Sequence, residues 1–554
     1  MVTLETGYKE LKNTVGKDFS IKELEDALFD LGMELDEVEG DLLKIDITPD
    51  RPDMVSTQGL ARVLRAFYGL KNPEYKTKES DHSVIIDSSV NDVRPCTVCT
   101  VIKKLNLDHQ KIKEIIWVQE KLHATFGRHR KKAAIGIYPL ENIKLPIYFK
   151  ADKPDNIRFV PLEHEKEMNA RDILEKTSVG KDYAHLLEGY KKYPYFVDDK
   201  GDILSMPPIV NSHLTGRITE DTKDVFIECS GFDFRALNHI LNILVYMFQD
   251  MGAEVYSMKL KYGEKEVITP NLEKEKRSID ADFISKMTGL DLSAKEYSKL
   301  LEKMMYEIKS VGDEKIEFLV PPIRTDIWHD VDIADDVVRG YGVNNIEYEI
   351  PKVATEGGIL RLSRLKDTIC NLLVGLGYQE TFTLALTDKK DQFERMNTSE
   401  EEHIKLGHTA EQSVNMVRCW LLPELFKVFN HNRHVEFPQK IFEVSNAVVP
   451  DETKDVLSRD ELRLSIALQD KGTGYTPIKQ AVEYIMDSMG IEYSFTEKDH
   501  PSFIPGRCAA LNVGGKELGF LGEIHPQVIE NWELEFPVAA AEINISVLEN
   551  EFDK

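Results

Sequence analysis

The stretch Pro321-Pro322-Ile323-Arg324-Thr325-Asp326-Ile327-Trp328-His329-Asp330-Val331-Asp332-Ile333-Ala334-Asp335-Asp336-Val337-Val338-Arg339-Gly340-Tyr341-Gly342 carries five aspartates between positions 326 and 336. Ile327, Val331, Ala334 and Val338 recur at helical spacing, which predicts a helix beginning near Trp328. Asp332, Asp335 and Asp336 then stand at i, i+3 and i+4 on one helix face. Three like charges that close repel one another unless a cation sits among them. Carboxylate oxygens with no softer donor suit Mg²⁺ rather than zinc or copper. Aspartates in a first helical turn also simply complement the helix dipole. Spacing alone leaves both readings open.

Around this stretch the chain divides by pattern. Residues 1–82 mix a helical period (Ile21 to Met33) with a strand and turn at Leu43 to Asp53 and a helix from Leu60 to Phe67, an α+β domain. Residues 83–265 alternate strands such as Ala133 to Tyr138 with helices such as Ile112 to Phe126, a mixed α/β domain. Residues 266–346 form a short α-rich domain around the aspartates, and 347–554 read as α+β. No internal repeat is evident.

Bulk properties agree with this division. A chain of 554 residues exceeds what one hydrophobic core supports, so about three to five domains are expected. The hydrophobic fraction of 42% and aromatic fraction of 9% are those of packed domains, not of a disordered scaffold. No apolar run approaches the roughly 18 residues of a membrane span, and Met1 to Lys12 has no apolar signal core. A cytoplasmic location with no membrane partner is expected. Six cysteines do not make a disulfide framework, and the lone C-x-x-C at Cys96 and Cys99 falls in a β-like run. The net charge of −26 is the opposite of what a self-sufficient nucleic-acid binder shows. Either RNA is not a partner, or another chain supplies most of the phosphate-binding charge. The basic run Arg128-His129-Arg130-Lys131-Lys132 would ordinarily be a solvated face.

The pattern R-T-D-x₅-D-x₂-D-D-V-x-R-x-Y-G-x-N-N-I resembles the metal-binding domain of phenylalanyl-tRNA synthetase β subunits of the archaeal and eukaryotic type. That resemblance implies Mg²⁺ coordinated by Asp326, Asp332, Asp335 and Asp336, with a carboxylate from an α subunit completing the set. Ile47-Thr48-Pro49-Asp50-Arg51-Pro52-Asp53 followed by Gly59-Leu60-Ala61-Arg62 resembles the family's opening domain. A proline-locked turn there holds Asp50 and Arg51, in a structural salt bridge rather than in chemistry.

Leu204-Ser205-Met206-Pro207-Pro208-Ile209-Val210-Asn211-Ser212 and Asp224 to Gly231 resemble the two halves of the family's editing pocket. The resemblance assigns editing roles to Ser205, Glu228 and Ser230. Aspartate and threonine are expected at the last two positions in some archaeal relatives. Strand alternation places Phe226, Glu228 and Ser230 on one face. A Glu beside a Ser on one strand is, by itself, an ordinary exposed surface. An editing site answers a physical need, because a phenylalanine pocket rejects tyrosine by only about 10²-fold. Glu228 is expected to accept a charge-assisted hydrogen bond from the tyrosine hydroxyl, with Ser205 and Ser230 near the ester.

The C-terminal part resembles the family's degenerate class II synthetase domain, built on an antiparallel sheet. Its motifs include Arg418-Cys419-Trp420-Leu421-Leu422-Pro423 and Gly519-Phe520-Leu521-Gly522-Glu523-Ile524-His525-Pro526. Catalytic relatives carry G-x-G-x-x-R in their last ATP-binding strand. The three G-x-G triplets here are followed at that place by Asn345, Glu380 and Pro477. No arginine is in position, and no G-x-x-x-x-G-K-[ST], H-I-G-H or K-M-S-K-S run occurs. The expectation is therefore a β subunit that edits Tyr-tRNA(Phe), contacts tRNA(Phe), and joins a catalytic α subunit as two α and two β chains. A self-sufficient class II synthetase and a non-enzymatic RNA-binding scaffold are the competing readings.

Overall fold

A computed structural model describes residues 2–409, 411 and 413–550, with backbone alone at 550. It separates into two compact units, Met1–Ile350 and Pro351–Lys554.

The first unit opens with a three-stranded antiparallel sheet in which Leu42–Ile47 lies between Val2–Gly7 and Glu34–Glu39. Leu43, Ile45 and Ile47 alternate inward along the central strand, as a half-buried strand requires. The adjoining helix Ile21–Asp30 starts in a capping box, Ser20 with Glu23. The Arg51 side chain, expected in a structural salt bridge, pairs in a fork with the Asp53 carboxylate at 2.9 Å through both nitrogens.

Two sheets make the centre of this unit. A five-stranded sheet runs Thr77–Lys78, Glu254–Tyr256, Cys96–Lys103, Val225–Gly231, Ala133–Pro139 in spatial order. A seven-stranded sheet includes Ile203–Met206 beside Tyr193–Val197 and Ile147–Asp152. Thr77–Lys78, in a polar and charged stretch of the sequence, pairs parallel with Val255 and Tyr256. Cys96 and Cys99 lie on a strand of the first sheet, Cys99 fully buried.

The long helix Phe234–Asp250 is apolar on most of its surface and buries eleven residues. Its core is continuous with that of residues 275–341. Those residues form a three-stranded sheet carrying the helices Ala281–Thr288, Ala294–Lys303 and Asp330–Tyr341.

The second unit is built on a seven-stranded sheet, antiparallel except where Gln379–Glu380 joins Gln439–Pro450. Helices Arg361–Gly375 and Tyr475–Ser488 pack into one hydrophobic cluster with it. Leu422–His431 belongs to another.

Candidate functional site

Val225–Gly231 is the strand that fixes the site. It hydrogen-bonds to Cys96–Lys103 on one side and Ala133–Pro139 on the other, and all seven of its residues are buried. Val225, Ile227 and Cys229 face the helical core, whereas Phe226 packs in the layer between the two sheets. Glu228 shares that second face, so a carboxylate that looks like surface in the sequence is 1% exposed.

Beside it opens a cavity of about 220 Å³, lined by Glu228, Ser205, Asn211, Glu120, His123 and Arg130 among others. Ser205 comes from Ile203–Met206 of the second sheet, so the cavity is assembled from residues far apart in the chain. Glu228 Oε1 accepts a hydrogen bond from the Tyr138 hydroxyl at 3.1 Å. Among the described residues its Oε2 has no partner within hydrogen-bond distance, nor has Ser205 Oγ, which nevertheless lies close to the Tyr138 hydroxyl. Two buried polar atoms without partners are costly unless something else meets them. Both line this cavity. Burial pushes the Glu228 carboxyl up to about 8, against the opposing pull of the Tyr138 hydroxyl and of Arg94. At neutral pH Glu228 is therefore mainly a neutral acid, able to donate as well as accept. The charge-assisted acceptor expected from the sequence forms only on the alkaline side.

Gly136 sits directly opposite Glu228 in the strand ladder. A Cβ there would stand 2.0 Å from the Tyr138 hydroxyl and 2.6 Å from Glu228 Oε1. The Tyr138–Glu228 contact needs that glycine. A lone glycine inside an apolar strand is the sequence signal of such a close approach. Sequence reasoning passed over it, along with Tyr138, His123 and Glu120.

Ser230 lies behind Glu228 on the same strand face, and its hydroxyl also interacts with the Glu228 carboxyl. It is fully buried, its Oγ accepts from Arg94 Nε at 3.1 Å, and it is absent from the cavity lining. The structure brings Ser205 and Glu228 to one cavity, with Ser230 behind them, next to Glu228 and bonded to Arg94.

The cavity mouth is held by a second network. His123 Nε2 accepts the Ile135 backbone N–H at 2.7 Å, which assigns the proton to Nδ1, 3.2 Å from Glu120 Oε1. Burial lowers the His123 pKa. With both ring nitrogens engaged, His123 positions Glu120 rather than acting as a free base. Arg130 Nη2 also binds Glu120 Oε1, at 3.0 Å, and its Nη1 donates to the Ile209 carbonyl at 2.9 Å.

The acidic helix differs from its sequence reading in detail. It spans Asp330–Tyr341 with His329 as N-cap, two residues later than expected. Its inward face is Ile333, Ala334, Asp336, Val337 and Gly340, while Val331 is exposed. The reason is electrostatic. Buried Arg324 donates to Asp336 Oδ2 and to Asp326 Oδ2, each at 2.7 Å, drawing Asp336 inward. The Tyr306 hydroxyl also donates to Asp336, at 2.6 Å. Burial pushes Asp326 up but Arg324 more than offsets it, whereas at Asp336 burial prevails and the pKa is raised. Asp332 turns back to accept the backbone N–H groups of Trp328 and His329, each at 2.7 Å. Asp335 pairs with Arg339 at 2.7 Å. The oxygen donor chemistry suits Mg²⁺, and in this arrangement the Arg324 guanidinium stands between Asp326 and Asp336. Among the described residues no group of three or more His, Cys, Asp or Glu side chains is gathered to hold a metal.

These modules match known protein families. Residues 1–70 match the Phe-tRNA synthetase β subunit B1 domain, 277–343 the tRNA synthetase B5 domain, and 346–545 the phenylalanyl tRNA synthetase β chain CLM domain. The class is that of an aminoacyl-tRNA synthetase subunit. The phenylalanine–tRNA ligase β subunit of Pyrococcus abyssi is 40% identical over 98% of this chain and 99% of its own length. That of Pyrococcus furiosus is 39% identical over 99% and 100%. A crystal structure of an N-terminal fragment of the Pyrococcus horikoshii phenylalanyl-tRNA synthetase β subunit matches with a TM-score of 0.59 at 37% identity, covering 62% of this chain and all of that one. The chain belongs to the phenylalanine–tRNA ligase β-subunit family.

Proposed function

We propose that this chain is the β subunit of a phenylalanine–tRNA ligase, supporting an α subunit that converts ATP, L-phenylalanine and tRNA(Phe) to AMP, diphosphate and Phe-tRNA(Phe). Its own chemistry is hydrolysis of Tyr-tRNA(Phe) in the cavity at Glu228. The observation that carries this reading is the pair of unpartnered buried polar atoms, Glu228 Oε2 and Ser205 Oγ, in one cavity. Such a lining favours an aromatic side chain bearing a hydroxyl over one without, since only the first satisfies the buried groups. In the assembled enzyme, Glu228→Ala should slow deacylation of Tyr-tRNA(Phe) while leaving charging with phenylalanine unchanged. A variant that clears Tyr-tRNA(Phe) as fast as the parent would move the pocket elsewhere.

The C-terminal sheet supports a non-catalytic role. Glu542, fully buried on Val538–Asn544, accepts the Leu421 and Leu422 backbone N–H groups at 2.9 and 3.0 Å. Arg463 on the neighbouring strand is paired with Glu461 at 2.6 Å. These charged groups are thus spent on the sheet's own structure. Assembly as two α and two β chains follows the same reading. We also propose that Mg²⁺ binds beside Asp332 and Asp335 only when an α subunit adds donors, Asp326 and Asp336 being held by Arg324. No described helix is long and apolar enough to cross a membrane. Work alongside cytoplasmic tRNA belongs to the same proposal.

A further inference from the structure

The basic run at 128–132, an ordinary solvated face by its sequence, occupies a specific place. It leaves the C-terminal end of the helix His109–Ala124 and enters the strand Ala133–Pro139, so it borders the cavity that Arg130, Glu120 and His123 line. Arg128, His129 and Arg130 all take left-handed backbone conformations, with φ of 49°, 51° and 64°. Three consecutive non-glycine residues there cost on the order of 1–3 kcal/mol each, strain that clusters at ligand-binding sites. Arg128, His129 and Lys131 are exposed. Neither Arg128, Lys131 nor Lys132 has an ion-pair partner among the described residues, in a chain whose net charge is −26.

An aromatic ring lies beside this loop. Gly231 pairs with Ala133, and a Cβ on Gly231 would stand 2.3 Å from the Lys132 carbonyl. The next residue, Phe232, is 49% exposed, with the Arg94 guanidinium 5.6 Å from its ring centroid. Arg94 also donates to the Arg130 and Ser230 carbonyls, at 3.4 and 2.6 Å, tying loop and strand end together. Unpaired cations next to an exposed aromatic face are how proteins hold single-stranded nucleic acid, phosphates on the charges and a base on the ring.

We propose that Arg128, Lys131 and Phe232 form the docking surface for the single-stranded 3′ end of the aminoacyl-tRNA at the mouth of the Glu228 cavity. The inference rests on the editing role proposed above and gives it a substrate path. Arg128 and Lys131 neutralise phosphates, Phe232 stacks a base, and the terminal ester reaches the cavity. This solves locally what the overall acidity makes difficult.

The test uses the assembled enzyme and three substrates. With Tyr-tRNA(Phe), Arg128→Ala/Lys131→Ala and Phe232→Ala should each raise the KM for deacylation about tenfold with kcat little changed. Hydrolysis of a free tyrosine ester, which has no RNA to dock, should be unaffected, as should charging with phenylalanine. Phe232→Trp should restore the KM, which a folding defect would not allow. Binding of a fluorescent acceptor-stem RNA with a single-stranded 3′ end provides a readout independent of hydrolysis. Its log–log salt slope should fall by about 1.4 in the double variant, roughly 0.7 for each phosphate that is no longer neutralised. Unchanged KM and unchanged RNA binding in both variants would overturn the docking surface while leaving the editing pocket standing. A parent enzyme that fails to deacylate Tyr-tRNA(Phe) would instead remove the editing reading, and RNA binding would still decide the surface.

Discussion

At Glu228 the environment decides what the residue can do. Its burial, and a pKa pushed up to about 8, mean that near pH 7 it meets a tyrosine hydroxyl as a neutral acid. A neutral hydrogen bond contributes about 0.5–1.5 kcal/mol, roughly two- to tenfold in selectivity. Once pH passes 8 the carboxylate form prevails, and a charge-assisted bond is worth about 1.5–3 kcal/mol. The ratio of Tyr-tRNA(Phe) to Phe-tRNA(Phe) deacylation should therefore rise between pH 7 and 9, and Glu228→Gln should flatten that profile. Single-turnover rates for both substrates, corrected for spontaneous hydrolysis, give the ratio; a pH-independent ratio in the parent enzyme would exclude Glu228 as the discriminating group. The sequence named Ser205 and Glu228 only through family resemblance, because strand alternation cannot say that both faces of Val225–Gly231 are covered. Tyr138, Gly136 and His123 escaped because their roles depend on the ladder that sets Gly136 opposite Glu228. That pairing joins positions distant in the chain.

At the scale of elements, the helix Asp330–Tyr341 shows how a local pattern was half legible. Its existence, and its start to within two residues, followed from apolar spacing and acidic residues at the N-terminus. Its inward face did not follow, because buried Arg324 contributes from outside the helix and rotates preference toward Asp336. That arrangement makes Arg324 the cation on which the helix depends. Arg324→Met should destabilise the first unit by about 3–5 kcal/mol, since it leaves Asp336 buried and uncompensated. Chelation of Mg²⁺ from the isolated chain should, by contrast, leave its thermal midpoint unchanged. Thermal unfolding of the parent with EDTA and with Mg²⁺, beside the variant, separates the two. A midpoint that rises strongly with Mg²⁺ would mean that the ion, not the guanidinium, balances these aspartates.

For the whole molecule, the division of labour between chains sets the last expectation. Family models match residues 1–70, 277–343 and 346–545, each a stretch in which the sequence carries one of the quoted motifs. What the C-terminal sheet does with those motifs is a matter of packing. Glu542 caps the Leu422–His431 helix from within the sheet, Arg418 pairs with Glu443 at 2.9 Å in full burial, and Arg463 pairs with Glu461. A nucleotide site needs an arginine free to meet phosphate and a cavity to receive it, and these arginines are already committed to carboxylates. Releasing Arg418 would leave the buried Glu443 carboxylate without its ion pair. The isolated chain should accordingly show no phenylalanine-dependent exchange of pyrophosphate into ATP, and adding an α subunit should bring exchange to the level of the complete ligase. Radiolabelled pyrophosphate exchange with each chain alone and with both together makes the comparison. Robust exchange by this chain alone, surviving a purification that removes any trace of α subunit, would restore the self-sufficient synthetase and require a second ATP site in the C-terminal unit.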